Sequence, residues 1–245
     1  MYTGAARASQ QVLKSGGRAI RLGLEWGQNF RRQRDRRLAA FLLYSVFVAH
    51  LWSSFPCTAF GCWVSINLSR HCDLGPTRKR GMVFLRHTVW LVLVQRALDA
   101  EKVECPKHRA TGRRRSHLEN PLPSQAWRTP PMRALVADME HATLHQCRVG
   151  ARGPLGGPVK KATAIKTDDP QMRAAMDLRC RCGTTHEHLE GAATKRSETY
   201  TLELARRIAS VILGGGGTTD ADRVGQTLTV LQTLQSRRRI ESIPT

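Results

Sequence analysis

Short strand-like segments alternate with helical ones along this chain, and that alternation limits the fold more than any other feature. Residues 19–24 alternate weakly, which suits a short strand. Residues 31–48 read as a helix, basic at its start and then apolar on most faces. Residues 50–54 form the next strand, which stops at Pro56 because proline cannot donate to a ladder. Residues 78–100 read as a long helix. Ser116-His117-Leu118 is a strand ending in Glu119-Asn120-Pro121. Pro130-Pro131 opens a helix running to Met139, since proline is tolerated in the first turn. Residues 143–147 are a strand. Residues 150–158 are a loop of four glycines and two prolines. Residues 159–167 are a strand, and Asp168-Asp169-Pro170 caps a helix to Leu178. Residues 198–213 are the last helix. This order predicts an α/β domain with a mainly parallel sheet, whose ligands sit at the carboxyl ends of the strands. The boundaries expected are an N-terminal extension over 1–15, the domain over 16–213, and a flexible glycine linker and basic tail over 214–245 containing Arg237-Arg238-Arg239. No internal repeat is visible.

The chain carries 39 Lys and Arg against 19 Asp and Glu, a formal net charge of +20 over 245 residues. Such an excess attracts polyanions, nucleic acid first. A coding bias towards arginine would give the same excess. No apolar run reaches the roughly 18 to 20 residues that span a bilayer. The run at 38–52 carries Ser45 and His50, and the run at 81–98 is interrupted by Arg86 and His87. The first 38 residues are Arg-rich and acid-poor, as transit peptides are, but Glu25 and Trp26 speak against that reading. Seven cysteines, at 57, 62, 72, 105, 147, 180 and 182, form no disulfide framework. They point to a reducing intracellular compartment, the nucleus being one.

Two strand ends carry chemistry. Ser54-Phe55-Pro56-Cys57 puts a cysteine in a tight turn after a strand, where turn amides favour the thiolate. Leu118-Glu119-Asn120-Pro121 puts a carboxylate at the end of the next, where it can act as a proton donor or hydrogen-bond partner. Taken singly, Cys57 reads as a small buried hydrophobe and Glu119 as a cap.

Together and in this order they resemble the cytosine-5 DNA methyltransferases, with a Pro-Cys after one strand and a Glu-Asn after the next. The chain is closer still to a divergent methyltransferase-like branch within retroelement-type polyproteins of protists. The matching set is Ser54-Phe55-Pro56-Cys57, Asn67, Glu119-Asn120-Pro121 with Trp127, Gln146-Cys147 with Gly150, Lys160-Lys161-Ala162-Thr163, and Cys182-Gly183 with His186-Glu187-His188-Leu189 and Gly191. It runs from about Gly16 to Leu213. The resemblance implies a Rossmann-like methyltransferase sheet, transposon-derived. It implies that Cys57 attacks C6 of a cytosine, that Glu119 holds N3 and the amino group, and that Asn120 positions the loop. S-adenosylmethionine would supply the methyl group, and Lys160 and Lys161 would lie near base and phosphate. The target base must leave a duplex to reach such a pocket.

The family's opening strand and glycine-bearing cofactor turn have no counterpart here, since Gly16-Gly17 lies too late. The sheet is expected to be incomplete at its N-terminal side. Phe55 replaces the usual first proline of the turn, and Glu25 is the one weak candidate for a ribose-holding acid. Two rival readings remain: a non-enzymatic basic nucleic-acid-binding protein, and an inactive polyprotein remnant.

Cys180, Cys182, His186 and His188 are all reasonable zinc ligands, although structural sites favour wider gaps than one residue. On a strand, a one-residue gap puts both side chains on one face. The basic connection over 102–115, closing on Arg113, Arg114 and Arg115, would contact phosphates beside a cleft and make binding salt-dependent. Trp52, Trp63, Trp90 and Trp127 read as core or loop anchors rather than base-stacking platforms.

Overall fold

The computed structural model describes residues 3–23, 26–61, 73–100, 113–189 and 199–214. Glu25, Trp63, Asn67, Gly191, most of the 102–115 connection and the tail beyond Gly214 lie outside the described residues.

Among the described residues, four strands form one sheet in the order β1-β2-β4-β3. They are β1 His50–Ser54, β2 Arg115–Pro121, β3 Glu140–His145 and β4 Ala162–Thr167. The fold is α/β, as the alternation predicts. The expectation of a mainly parallel sheet is corrected: β1 and β2 pair in parallel, but β4 runs antiparallel to both β2 and β3. The cause is the link between β3 and β4. A parallel return needs a crossover of a dozen or more residues, usually with a helix. Here the link holds one 3-10 turn, Gln146–Val149, and a glycine-rich loop that stays at the same edge. Gln146 N–H donates to Lys161 O (3.1 Å) and Val159 N–H to Ala151 O (3.0 Å), so the chain re-enters beside the strand it left. The result is a mixed sheet, with one parallel pair and two antiparallel ones.

Helices cover both faces. α1 Thr3–Lys14, α5 Pro170–Met176 and α6 Leu202–Ile212 lie on one. Their core contains Ala8, Ala142, Leu144, Ile165, Met172, Met176, Leu204 and Ile208, all buried. α3 Gly75–Ala100 and α4 Pro130–Val136 lie on the other, around Phe55, Phe60, Leu85, Val92, Leu118 and Met132. α2 Gln33–Ser45 packs on α3 through Ala39, Leu43, Leu91 and Val94. Side chains alternate across each strand. Trp52 and Glu119 therefore face the α6 side, while Leu51 and Leu118 face α3.

Local chemistry sets the boundaries. Asp169 caps α5, accepting from Gln171 N–H (3.0 Å), as Asp-Asp-Pro predicts. Thr201 caps α6, accepting from Leu204 N–H (3.2 Å), so that helix begins at Leu202 rather than at 198. Residues 19–23 make no strand; Ile20 is half-exposed and the segment finds no ladder partner among the described residues. No helix among the described residues is long and apolar enough to cross a membrane.

Candidate functional site

β1, β2 and β3 run in one direction and β4 in the other. Their carboxyl ends, with the amino end of β4, therefore meet at one edge of the sheet. That edge receives Cys57, Glu119-Asn120, Gln146-Cys147 and Lys160-Lys161, which are widely separated in the chain.

Ser54 lies opposite Glu119 in the β1–β2 ladder. The chain then turns through Pro56-Cys57, and Phe60 N–H closes the turn on Cys57 O (2.9 Å). Cys57 is half-buried and outside any disulfide. Phe55 is a buried anchor, edge-on to Trp127 at 5.8 Å between ring centroids, which accounts for an aromatic residue in the turn. Asn120 ties the two strand ends together. Its Nδ2 donates to Phe55 O (2.9 Å), and its buried Oδ1 meets no donor among the described residues. Trp127 Nε1 donates to Pro121 O (3.0 Å), so this tryptophan is an anchor, as expected.

Glu119 sits beneath Tyr200, whose hydroxyl donates to Glu119 Oε2 (3.0 Å). Burial raises the Glu119 pKa; hydrogen bonds from Ser54 and Tyr200 and the charge of Lys161 oppose that rise. Burial, and then the Glu119 charge, hold the Tyr200 phenol well above its ordinary value. Trp52 Nε1 donates to the Tyr200 hydroxyl (3.2 Å), which also meets Ser54 Oγ (2.9 Å). Sequence reasoning missed Tyr200. Its one signal is position: an apolar ring just before a Thr cap, as in a hydrophobic staple.

Tyr200→Phe is expected to lower stability by about 1–3 kcal/mol, the range for losing a partly charge-assisted buried bond. The loss should grow with pH. Glu119 is held above its unfolded pKa, so its contribution is full below the unfolded value and fades as pH rises through the folded one. Removing the Tyr200 donor raises that pKa further and leaves the ionised carboxylate without its partner. Urea midpoints at pH 5 and pH 8 measure this; an equal deficit at both would contradict it.

Cys147, Cys180, Cys182 and His186 bring three sulfurs and one ring nitrogen within 4.8 Å of one another. This Cys3His set can hold a metal ion such as zinc. One of the four expected ligands is replaced: Cys147 supplies the fourth donor and His188 lies outside the cluster. Residues 179–189 are irregular rather than a strand, so the period of two that would align His186 with His188 does not apply. Cys147 arrives from the turn after β3, where spacing gives no hint of it. Cys180 Sγ lies 3.2 Å from His186 Nε2 and accepts from Cys182 N–H (3.4 Å). That backbone bond pulls the Cys180 thiol pKa down, while burial and then the neighbouring thiols push Cys147 up to about 12.

Arg113, Arg114 and Arg115 stand at the amino end of β2, the opposite edge from Glu119. Arg115 Nη1 donates to Asp168 O (2.8 Å), Arg114 lies over the Phe47 ring at 4.7 Å, and Arg113 Nε is 3.8 Å from Asp99. His50 Nδ1 and His117 Nε2 are 2.9 Å apart near that same edge, and burial lowers both pKa values. Asp169 beside them is engaged as a helix cap.

The strand and glycine turn that would hold S-adenosylmethionine are not found among the described residues. β1 is the outermost strand among them, with no strand and glycine turn beside it. Gly17 serves packing instead: a Cβ there would press on Val12 and on Leu213 Cδ2 at 2.6 Å. No protein-family model, curated protein or solved structure matches the chain.

Proposed function

We propose that this sheet edge is a cytosine-engaging site of the DNA cytosine-5 methyltransferase type, in a Rossmann-like domain derived from a retroelement. The observation that supports this is convergence. Motifs that resemble that family in sequence order are gathered at one edge by a sheet that turns back on itself.

The chain's own residues suffice for the first chemical step. The Cys57 thiolate adds to C6 of the cytosine. The S–C6 bond forms, the C5–C6 π pair becomes a C4–C5 double bond, and the C4–N3 π pair moves to N3, which takes the proton held on Glu119. Burial of Glu119 favours the protonated form that this step needs. C5 is now an enamine carbon and takes a proton from water. Reversal removes either proton from C5, returns the N3 proton to Glu119 and expels the thiolate, so C5–H exchanges with solvent without any cofactor.

The test is tritium release from [5-³H]cytosine in DNA, with no S-adenosylmethionine present. The parent chain is expected to release tritium and Cys57→Ser to release none. Glu119→Gln should slow release about 10²-fold or more, the usual contribution of a positioned acid. No release from a folded parent chain, or undiminished release from Cys57→Ser, would overturn the proposal. A second reading, nucleic-acid binding without chemistry, is favoured by Tyr200 already engaging Glu119 and by the net charge of +20. It predicts salt-sensitive DNA binding that is indifferent to Cys57→Ser and unaccompanied by tritium release.

A further inference from the structure

We propose that Cys147, Cys180, Cys182 and His186 hold one structural zinc ion, and that this ion pins residues 178–189 as a wall of the groove containing Lys160 and Lys161. The inference does not depend on cytosine chemistry at Cys57.

The donor set chooses the metal. Three thiolates and an imidazole are a soft, closed set that suits zinc. Ligands about 2.3 Å from one tetrahedral ion stand roughly 3.8 Å apart, and the four donor atoms here all lie within 4.8 Å. The Cys182 amide already donates to the Cys180 sulfur, which stabilises a bound thiolate. Four protein ligands leave no open position for substrate or water, so the ion is structural rather than catalytic. Three thiolates and a divalent ion leave one negative charge, and Lys160 lies close enough to act on Cys180.

The surroundings show what the ion would secure. Residues 178–189 contain no helix, and their backbone is held at few points. His145 N–H donates to Leu178 O (2.9 Å), and Cys180 N–H donates to His145 Nδ1 (2.8 Å). Further on, Glu187 N–H donates to Pro158 O (2.9 Å), and the Glu187 carboxylate accepts from Leu155 and Gly157 N–H, each at 3.0 Å. The loop wraps that carboxylate so closely that a Cβ on Gly153 would collide with it. Between these anchors the thiol cluster ties the segment to the end of β3 through Cys147. The three residues His186-Glu187-His188 thus divide their work: a ligand, a loop clasp and a groove residue. The groove has a volume of about 320 Å³ and is lined by Val159, Lys160, Lys161, His186, Glu187 and His188, among others. Its two lysines and His188 would meet an anionic partner.

The experiment is metal analysis of the full chain purified without chelator or added metal. One zinc per chain is expected in the parent, in Cys57→Ser and in His188→Ala, with loss of the ion in Cys147→Ser and in His186→Ala. Cobalt substitution should give the absorption of a tetrahedral site with three sulfurs. Should a ligand variant fail to fold, hydrogen exchange on the parent decides. Chelation should raise exchange at 146–149 and 178–189 while the β1–β2 ladder stays protected. A folded, metal-free parent with those segments protected would overturn the proposal. So would a disulfide among the three cysteines, or zinc lost in His188→Ala but kept in Cys147→Ser. None of these readouts involves tritium release, so failure here is separable from failure of the proposed chemistry.

Discussion

Gly81→Ala should destabilise the protein, although alanine is the better helix former by about 1 kcal/mol. Gly81 is buried in α3, where the helix crosses the turn that carries Cys57. A Cβ there would overlap the Ala59 Cβ and sit 3.1 Å from the ring of Phe60. Phe60 is 1% exposed and Ala59 is buried, so neither has room to retreat. Overpacking of this kind costs about 1–3 kcal/mol, occasionally more, and Gly81→Val should reach the upper end. The sign decides between propensity and packing. A raised denaturant midpoint for Gly81→Ala would show that α3 and the Cys57 turn are not in close contact. A lowered midpoint with reduced tritium release would show that the glycine holds the turn in place.

Ile208→Ala should cost about 2–5 kcal/mol, the range for emptying a fully buried aliphatic site. Ile208 is wholly buried on the face of α6 that also presents Leu204, Ala205 and Ala209. It belongs to the core cluster that joins α1, α5 and the sheet. The loss should reach Glu119 as well, because Tyr200 stands at the head of this helix and its ring packs in the same cluster. Leu202→Ala on the same helix is the control: Leu202 is 44% exposed, and its truncation should stay within about 0.5 kcal/mol. Equal losses from the two substitutions, read as urea midpoints, would contradict the packing described for α6.

The strand-helix alternation, the limits of β1 and the capped start of α5 were legible in the sequence because each is set by neighbouring residues. Pro56 stops β1, and Asp169 with Pro170 starts α5, wherever the rest of the chain goes. The reversed strand was missed, although a local cue for it exists. Residues 150–158 are too rich in glycine and proline to form a crossover helix, and that composition favours an antiparallel return. The weak alternation at 19–24 misled, since period without a partner strand does not make a ladder.

The candidate site divides along the same line. Residue type and position singled out Cys57, Glu119, Cys180, Cys182, His186 and His188, and the family resemblance added Asn120, Lys160 and Lys161. The fold decided three further matters. It brought Cys147 to the other thiols in place of His188, because the turn after β3 lies beside the segment after α5. It set Tyr200 on Glu119, because α6 packs across the face to which that carboxylate points. It carried Arg113, Arg114 and Arg115 to the far edge, because they begin the strand that Glu119 helps to end. Sequence determines what lies within a few residues of a turn or cap, where covalent geometry limits the choices. Which distant side chains share a charge, a proton or a metal depends on strand direction and helix packing, which only the folded chain fixes.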